Sequence, residues 1–266
     1  MDWVRILKNI PRHLNEERSD QLSHRHQDGW RRIYLSPSAY IVCPDDALVI
    51  STWRFHAFSR GGRAELLNYL ALSDGCGRLL DVGASAGIFS ALFANTHKDA
   101  KIISVEPDGN SFRLLAETVA LNSTTAQEWR TANVVLTDKP GVVPFSHGRF
   151  GGSVAQEPDG GRPTQAHSLP GFCGEMDFVP DIVKIDVESW EYEILASSLD
   201  FLAEHQPRLH LEVHWLMIEG RGHSPEAMLR DLAKVGYRCG ARSDLAAVAR
   251  AHLDGAGCAR LGLIAQ

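Results

Sequence analysis

The sequence lacks any apolar run near the roughly 20 residues that a membrane-spanning helix needs. Its N-terminus also lacks a hydrophobic stretch followed by a small-residue cleavage site, so no secretory signal is indicated. The five cysteines are scattered and never form a C-x-x-C pair, which argues against a disulfide framework or a thiolate zinc site. We therefore expect a cytoplasmic protein with no transmembrane segment.

Positive charge is not in excess either. Twenty-seven lysines and arginines oppose 33 aspartates and glutamates, which leaves a net charge of −6. A chain of this charge is a poor electrostatic match for a phosphate backbone, so we expect no nucleic-acid partner. The 44% apolar and 23% charged residues are typical of a folded domain. The length of 266 residues predicts one domain with an N-terminal extension, and the change of sequence pattern places the extension at residues 1–75 and the main domain at residues 76–266.

The extension differs in pattern from the rest of the chain. Residues 3–14 repeat apolar side chains at helical spacing beside basic ones, which predicts a basic amphipathic helix. Two short β-type runs, residues 39–43 and 47–51, flank a Pro-Asp-Asp turn signal and predict a β-hairpin. Residues 64–72 predict a helix that ends at a glycine-containing turn. We expect this extension to form a lid, or a surface for a substrate or a partner.

From residue 78 onward, buried strands alternate with amphipathic helices. This pattern predicts an α/β fold with a mostly parallel sheet and helices on both faces. The polar stretch 147–174 predicts a long loop, and long loops in compact domains often carry function. The predicted strands are 79–82, 101–105, 133–136, 142–145, 181–187, 208–214, 237–241 and 259–264, and the predicted helices are 88–95, 111–121, 190–202 and 227–234.

The first candidate site lies where a strand runs into a small-residue turn and then a helix, over residues 79–87. Gly83 permits a tight turn and the close approach of a ligand, and Gly87 lets the helix begin close to the strand. Glu106 follows the next strand, where a carboxylate can accept hydrogen bonds from both hydroxyls of a ribose. Together these residues predict a nucleoside site, whereas the glycine turn alone would also suit an ordinary strand-to-helix connection.

Asp81 and Ser85 indicate which nucleoside is bound. A dinucleotide site places glycine where Ser85 stands, so that the backbone can approach a pyrophosphate, and a carboxylate such as Asp81 would repel that group. S-adenosylmethionine instead carries an ammonium and a sulfonium, which a carboxylate attracts. We therefore predict S-adenosylmethionine as the cofactor, with a structural turn cap as the alternative role of Asp81.

A second acidic group follows a later predicted strand. Asp186 and Glu188 lie on one side of the strand end, where ligands bind in parallel sheets. Ser189 is placed to cap the next helix, and Glu191 and Glu193 suit the first turn of that helix. This structural account leaves Asp186 unexplained, and we predict that Asp186 and Glu188 are catalytic.

The third candidate group lies on the strand 208–214, where His210, Glu212 and His214 share one face. If this strand neighbours the one that ends at Asp186, imidazole and carboxylate meet at one edge of the sheet. A neutral His214 could then accept a proton from a substrate hydroxyl, an effect worth about 10² to 10⁴ in rate. We predict no metal ion, and a divalent ion held by His214 with Asp186 or Glu188 is the less favoured alternative. A structural role stays equally open for His210.

These stretches together resemble the FkbM family of S-adenosylmethionine-dependent methyltransferases. The family pattern is D-V-G-A-N-x-G, an E-P pair after the second strand, an S-D-x-x-G turn, and K-I-D-V-E-G-x-E before a strand that ends in E-x-H. The resemblance spans about residues 64–240, and the K-I-D-V-E element is its most specific part. The matching residues are 81–87, 106–107, 137–141, 184–191 and 212–214.

The resemblance implies a seven-stranded class I methyltransferase sheet and in-line O-methylation of a hydroxyl on a sugar, a glycolipid or another natural product. Two residues depart from the family pattern, because Ser85 replaces the usual Asn and Ser189 replaces the usual Gly. The second departure puts a side chain where the family has none. The residues that the resemblance assigns to the cofactor are Asp81, Gly83, Ala84, Ser85, Gly87, Glu106, Pro107, Asn133, Asp138 and Glu65.

Two alternatives stay open. The same topology would serve a nicotinamide-dependent oxidoreductase, which binding of labelled S-adenosylmethionine against NAD would distinguish. The departure at Ser189 and the unusual N-terminus also leave open a non-catalytic cofactor-binding subunit. The sequence identifies neither the methyl acceptor nor the oligomeric state, and a homo-oligomer is compatible with it.

Overall fold

The computed structural model describes residues 23–36, 39–58, 60–122, 125–148, 151–154 and 161–266. The predicted amphipathic helix over residues 3–14 lies outside these ranges. Among the described residues, no helix combines the length and the apolar character that crossing a bilayer requires.

The elements follow one another along the chain as strands and helices of ordinary length. The described strands are β1 (Ser23–Arg25), β2 (Trp30–Ser36), β3 (Ala39–Pro44), β4 (Arg78–Val82), β5 (Lys101–Val105), β6 (Glu128–Ala132), β7 (Val135–Thr137), β8 (Gly141–Gly148), β9 (Gly151–Val154), β10 (Arg162–Ser168), β11 (Ile182–Ile185), β12 (Arg208–His214), β13 (Tyr237–Arg238) and β14 (Cys258–Ala265). The described helices are α1 (Ala47–Phe58), α2 (Arg60–Ser73), α3 (Ile88–Thr96), α4 (Gly109–Leu121), α5 (Leu169–Glu175), α6 (Glu191–Ala196), α7 (Leu199–His205), α8 (Trp215–Gly220), α9 (Pro225–Lys234) and α10 (Leu245–Ala251).

A seven-stranded sheet forms the centre of the main domain, in the order β13-β14-β12-β11-β4-β5-β6. The neighbours from β12 to β6 pair in parallel, and β14 pairs antiparallel with β12 and β13. Four of the five residues of β4 and β5 and all four of β11 are buried, which explains why these strands are almost continuously apolar. The arrangement confirms the predicted α/β fold with a mostly parallel class I methyltransferase sheet.

Helices cover both faces of this sheet, because alternate side chains of each strand point to opposite sides. Leu80, Ile103 and Val183 belong to one core, which they share with α5, α6, α7, α9 and α10. Leu79 and Ile102 belong to the core on the other face, which they share with α2, α3, β2 and β3. The described part of residues 1–75 therefore packs directly onto the central sheet.

The predicted hairpin in the extension is wrong in its second half. Residues 47–51 begin helix α1 and form no strand, and the antiparallel sheet consists of β1, β2 and β3 in that order. Asp46 explains the difference, since its Oδ1 accepts a hydrogen bond of 2.8 Å from Leu48 N at the start of the helix. Val49 and Trp53, one helical turn apart, are both buried.

The predicted long loop over residues 147–174 is wrong for its described part. Strands β9 and β10 and helix α5 occupy much of this stretch, and the two strands belong to a second sheet in the order β7-β10-β8-β9. The predicted strand 133–136 is also wrong in place, since β6 ends before it and β7 belongs to the second sheet. Only alternate residues in the middle of β10 are buried, and most of its other positions are polar. Its sequence therefore resembles that of a loop.

Candidate active site

The carboxyl ends of β4, β5, β11 and β12 lie side by side at one edge of the central sheet. This edge is where ligands bind in open parallel sheets, because the connections to the following helices diverge there. Gly83, Glu106, Asp186 and His214, which the sequence singles out from four separate motifs, follow or end these four strands.

The backbone at Gly83 packs tightly against the loop that follows β11. Gly83 has a φ of +78°, and a Cβ atom built on it would lie 1.8 Å from the carbonyl oxygen of Asp186. Gly83 N and Ala84 N both donate hydrogen bonds of 3.0 Å to Val105 O at the end of β5. A glycine is therefore required here, because it lets three strand ends meet around one turn.

Ser85 and Gly87 continue this turn into helix α3. Gly87 has a φ of +81°, and a Cβ atom there would lie 2.7 Å from Leu115 Cδ1, so a larger residue would be strained and would displace the Leu115 side chain of α4. Ser85 has a φ of +49°, in the left-handed region that the Asn of the family pattern also tolerates. Its backbone N donates to Glu106.

Glu106 is held by the two backbone groups that flank its side chain. Ser85 N donates to Glu106 Oε2 at 2.7 Å, and Asp108 N donates to Oε1 at 2.8 Å. Burial raises the pKa of the Glu106 carboxyl to about 7, against the effect of these two hydrogen bonds. Each carboxylate oxygen can accept two hydrogen bonds, so each retains capacity for one further donor. That capacity fits the two adjacent hydroxyls of a ribose.

Asn133 and Arg162 fix the loop that follows Glu106. Asn133 Nδ2 donates to Glu106 O at 2.8 Å and to Pro107 O at 3.0 Å. Arg162, from the second sheet, donates to Pro107 O at 2.9 Å and to Asn133 Oδ1 at 3.1 Å. Asp138 is exposed after β7, where its Oδ1 accepts a hydrogen bond from Thr137.

Asp81 lies beneath the turn and is fully buried. Its Oδ2 accepts a hydrogen bond of 2.6 Å from Ser90 Oγ, and its Oδ1 is 3.8 Å from Lys184 Nζ. Burial raises the pKa of Asp81, which Lys184 and Ser90 partly oppose. The Asp81 carboxylate therefore faces the buried ion pair of Lys184 and Asp186. It places negative charge below the turn.

Lys184 joins the acids of β4 and β11. Its Nζ is 3.2 Å from Asp186 Oδ2 and lies over the ring of Phe89, 5.0 Å from the ring centre. Burial alone would lower the pKa of Lys184, but Asp186 and Asp81 outweigh this effect and raise it. In return, Lys184 and His214 hold the pKa of Asp186 below its usual range against the effect of burial. Asp186 is therefore an anion whose side chain stays 29% exposed.

His214 lies between two glutamates. Its Nδ1 donates to Glu191 Oε1 at 2.8 Å, and its Nε2 lies 3.5 Å from Glu188 Oε2. Burial lowers the pKa of the imidazole, but Glu191, Asp186 and Glu188 outweigh it and raise the pKa to about 10. The neutral His214 expected from the sequence is thus replaced by an imidazolium at neutral pH, because strand pairing brings these carboxylates to its ring.

Glu191 is a site residue that the sequence interpretation assigned to helix stabilisation. It is fully buried, and its Oε1 accepts hydrogen bonds from His214 Nδ1, Val187 N and Ser189 N. The sequence feature that could have identified Glu191 as a site residue is its place as the second glutamate of the K-I-D-V-E-x-x-E pattern, because the start of a helix does not require a glutamate there.

Glu65 lies in a buried network on the sheet face that α2 covers. Its carboxylate oxygens are 3.5 Å from His56 Nδ1, 3.5 Å from His210 Nε2 and 2.9 Å from Arg260 Nε. Burial raises the pKa of Glu65, but His210 and His56 outweigh this effect and hold the pKa below its usual value. Arg260 also contacts Glu212 and so links this network to the strand that carries His214. No motif or spacing in the sequence indicates His56 or Arg260.

Two groups of side chains in the described part of the chain have the composition of a metal site. Ligand atoms of Asp186, Glu188 and His214 lie within 4.8 Å of one another, and so do those of Glu212, His214 and Cys258. His214 belongs to both groups, and its raised pKa makes it a cation facing the carboxylates. The His214 ring then supplies the positive charge that a metal ion would otherwise supply to these carboxylates.

The turn after Asp186 has unusual backbone geometry. Glu188 has a φ of +51° and Ser189 a φ of +85°, in the region that favours glycine. Ser189 is also buried. The family's glycine at this position is therefore explained by backbone conformation, and the serine of this chain carries strain.

Replacing Ser189 with glycine should stabilise the protein. The left-handed conformation costs a non-glycine residue about 1–2 kcal/mol, and the added freedom of glycine in the unfolded chain costs about 0.5–1 kcal/mol. We expect Ser189→Gly to raise the free energy of unfolding by about 0.5–1 kcal/mol in urea denaturation. Ser197→Gly is the matched control, because Ser197 has a φ of −83° and should lose stability. Equal losses in both variants would show that Ser189 is unstrained.

Comparison with known proteins identifies the family to which the chain belongs. The family model described as the methyltransferase FkbM domain matches residues 81–239, more than half of the chain. A comparison with curated protein sequences gives no significant match.

Several solved structures are similar at low identity. Methyltransferase FkbM from Methylobacillus flagellatus KT is 17% identical with a TM-score of 0.38, and the alignment covers 51% of this chain and 32% of that chain. This chain thus spans about a third of that protein's length. Ribosomal protein L11 methylase from Lactobacillus delbrueckii subsp. bulgaricus is 13% identical, with coverages of 78% and 79% and a TM-score of 0.43. O-methyltransferase TomG from Streptomyces achromogenes, solved with S-adenosylmethionine, is 10% identical, with coverages of 84% and 92% and a TM-score of 0.43.

Proposed function

This chain belongs to the FkbM methyltransferase family, and on that premise we propose that it is an S-adenosylmethionine-dependent O-methyltransferase. The proposed acceptor is a hydroxyl of a sugar, a glycolipid or another natural product. The observation that carries the proposal is the pairing of two sites at one sheet edge. Glu106 offers two carboxylate oxygens to a ribose, and Asp186, Glu188 and His214 form a group that can bind and deprotonate a hydroxyl.

The residues around Glu106 are those that would hold the cofactor. We propose that Glu106 accepts hydrogen bonds from the ribose hydroxyls, and that Asn133 and Pro107 shape the surface beside the adenine. The turn from Gly83 to Gly87 would receive the methionine part, with Asp81 contributing charge from below. When bound, S-adenosylmethionine supplies an electrophilic methyl group on a cationic sulfur. The acid-rich edge suits that positive charge.

The acceptor hydroxyl must lose its proton as its oxygen forms the new bond, and the charges of the site decide where the proton goes. Asp186 is held as an anion by Lys184, so it is the weaker base and orients the hydroxyl by accepting its hydrogen bond. Burial raises the pKa of Glu188 above its usual value, so Glu188 is the better base and takes the proton. The His214 imidazolium stabilises the negative charge that develops on the acceptor oxygen.

We propose that the extension over residues 1–75 and the second sheet form the lid and the acceptor pocket above this edge. His56 in α1 and Glu65 in α2 already reach the buried network that continues to Glu212. Side chains of the sheet alone offer no shape that could select one acceptor, so selection must come from the segments around it.

Calorimetry with S-adenosylmethionine and NAD tests the cofactor. We expect heat of binding with S-adenosylmethionine and none with NAD, and the reverse result would support the oxidoreductase alternative.

Acceptors are then screened for transfer of an isotopic methyl group from labelled cofactor, with hydroxylated glycans, glycolipids and polyketides as the set. Since His214 fills the metal-like group as a cation, we expect transfer to be unchanged in EDTA. Binding without transfer to any acceptor would favour the non-catalytic subunit.

A further inference from the structure

Arg221 holds the strained turn at residues 187–190 from outside. Its Nη1 donates to Ser189 O at 2.6 Å, and its guanidinium lies 3.8 Å from the centre of the Trp190 ring. The same guanidinium forms an ion pair with Glu193 in helix α6, in which Nη1 lies 3.2 Å from Oε2. One side chain therefore contacts the carbonyl of the turn, its aromatic neighbour and the helix that follows.

The inner side of the turn is held by Glu191. Its Oε1 accepts hydrogen bonds from Val187 N at 3.2 Å, from Ser189 N at 3.3 Å and from His214 Nδ1 at 2.8 Å. The turn is thus fixed on one side by Glu191 and on the other by Arg221. Glu188 is the residue between these contacts, and its carboxylate faces His214 Nε2.

Arg221 is also tied to the strand that carries His214. Helix α8 begins directly after His214, and Arg221 directly follows that helix and closes it with backbone hydrogen bonds to Met217 O and Ile218 O. The guanidinium therefore connects the end of α8 with the turn after β11. His214 ends the strand before α8, and Asp186 and Glu188 lie in the segment after β11.

We propose that Arg221 is a positioning residue, which locks the left-handed turn at Ser189 and thereby holds Glu188 against His214. This inference rests on the proposed function, in which Glu188 and His214 act together on the acceptor hydroxyl. Strained left-handed residues persist only when their surroundings hold them. Two consecutive ones, Glu188 and Ser189, should relax when the outer contact is lost, and Glu188 should then leave the imidazole.

Arginine is suited to this task in a way that other side chains are not. Its planar guanidinium can stack on Trp190 and still donate in its own plane to Ser189 O and Glu193. The Arg221 side chain is only 11% exposed, so these hydrogen bonds are shielded from competition by water. A lysine would retain the charge but lose the stacking and the planar arrangement of donors.

The test uses three variants of the full-length protein. Arg221→Met removes the guanidinium, and Arg250→Met is the matched control, because Arg250 also lies over a tryptophan, Trp215, and pairs with a glutamate away from the turn. The double variant Arg221→Met with Ser189→Gly relieves the strain that Arg221 opposes. NMR titration of the His214 ring reports the distance of Glu188, and hydrogen exchange reports the amide of Ser189.

In Arg221→Met we expect the proton affinity of His214 to fall about tenfold, one pKa unit, because a carboxylate has moved away. Exchange of the Ser189 amide should rise by about tenfold or more, because relaxation of the turn breaks the hydrogen bond that this amide donates to the Glu191 carboxylate. Arg250→Met should change neither value, and Ser189→Gly should restore both in the double variant. The charged and titratable groups that face the His214 ring are Glu188, Glu191, Asp186, Glu212 and Cys258, and Arg260 pairs with Glu212.

An unchanged His214 titration in Arg221→Met would overturn the proposal, as would a failure of Ser189→Gly to restore it. A general loss of folding would affect all resonances and would not respond to Ser189→Gly. Calorimetry with S-adenosylmethionine on the same samples separates this result from the proposed function. If the unmodified protein binds no cofactor, the methyltransferase proposal fails, while the His214 titration still decides whether Arg221 holds the turn.

Discussion

Replacing Glu106 with alanine should remove binding of S-adenosylmethionine to the limit of calorimetric detection. Two hydrogen bonds from ribose hydroxyls to a carboxylate are lost, and each bond to a charged group is worth about 1.5–3 kcal/mol. The dissociation constant should therefore rise by at least about 100-fold. The loss extends further, because Ser85 N and Asp108 N then have no acceptor and the turn around the cofactor loosens.

Two further variants separate these effects. Glu106→Gln keeps the size of the side chain and one acceptor oxygen, so we expect an affinity between those of the unmodified protein and Glu106→Ala. Glu117→Ala is the control, because Glu117 is an exposed glutamate in α4 that pairs with Arg113. We expect this variant to bind S-adenosylmethionine as the unmodified protein does. A dissociation constant that stays within twofold in Glu106→Ala would contradict the assignment of Glu106 to the ribose.

The parts of the fold that follow from the sequence are those in which local pattern and tertiary burial agree. Strands β5 and β12 have the predicted bounds, Lys101–Val105 and Arg208–His214. The apolar pattern of β5 records its burial directly, whereas β12 is recognised by the alternation of His210, Glu212 and His214 with apolar residues. The strand order then brings Asp186 next to His214, because β11 pairs with β12 in parallel. Motif spacing thus places each of these side chains at a strand end, and the strand order observed in the structure brings the two ends together.

The remaining features depend on contacts between distant residues. Arg260 lies on the last strand and reaches Glu65 in α2, which no local pattern can indicate. The charge of His214 cannot be predicted from local pattern for the same reason, since Glu191 contacts it across 23 positions of sequence. The predicted helix 190–202 divides into α6 and α7 near Ser198, whose Oγ donates a hydrogen bond to Ile194 O. Such a side-chain bond competes with the backbone hydrogen bonds of a helix, and the spacing of apolar residues does not reveal it.

Replacing His214 with glutamine should leave cofactor binding within twofold and lower turnover by about 100-fold or more. The imidazolium is expected to stabilise charge on the acceptor oxygen, and loss of one such group typically costs 10² to 10³ in rate. His210→Gln is the matched control on the same strand, since His210 faces Glu65 below the site. Turnover equal to that of the unmodified protein in His214→Gln would remove His214 from the mechanism.

The pH dependence gives an independent test of the charge on His214. Its pKa is raised from 6.5 to about 10, so the stability that it contributes is complete below pH 6.5 and is lost as pH rises through about 10. The difference in free energy of unfolding between the unmodified protein and His214→Gln should therefore shrink over that range. Turnover should fall on the alkaline side as the imidazolium loses its proton near pH 10. A difference in stability that is the same at pH 6 and pH 10 would show that His214 is neutral and that the base must be assigned again.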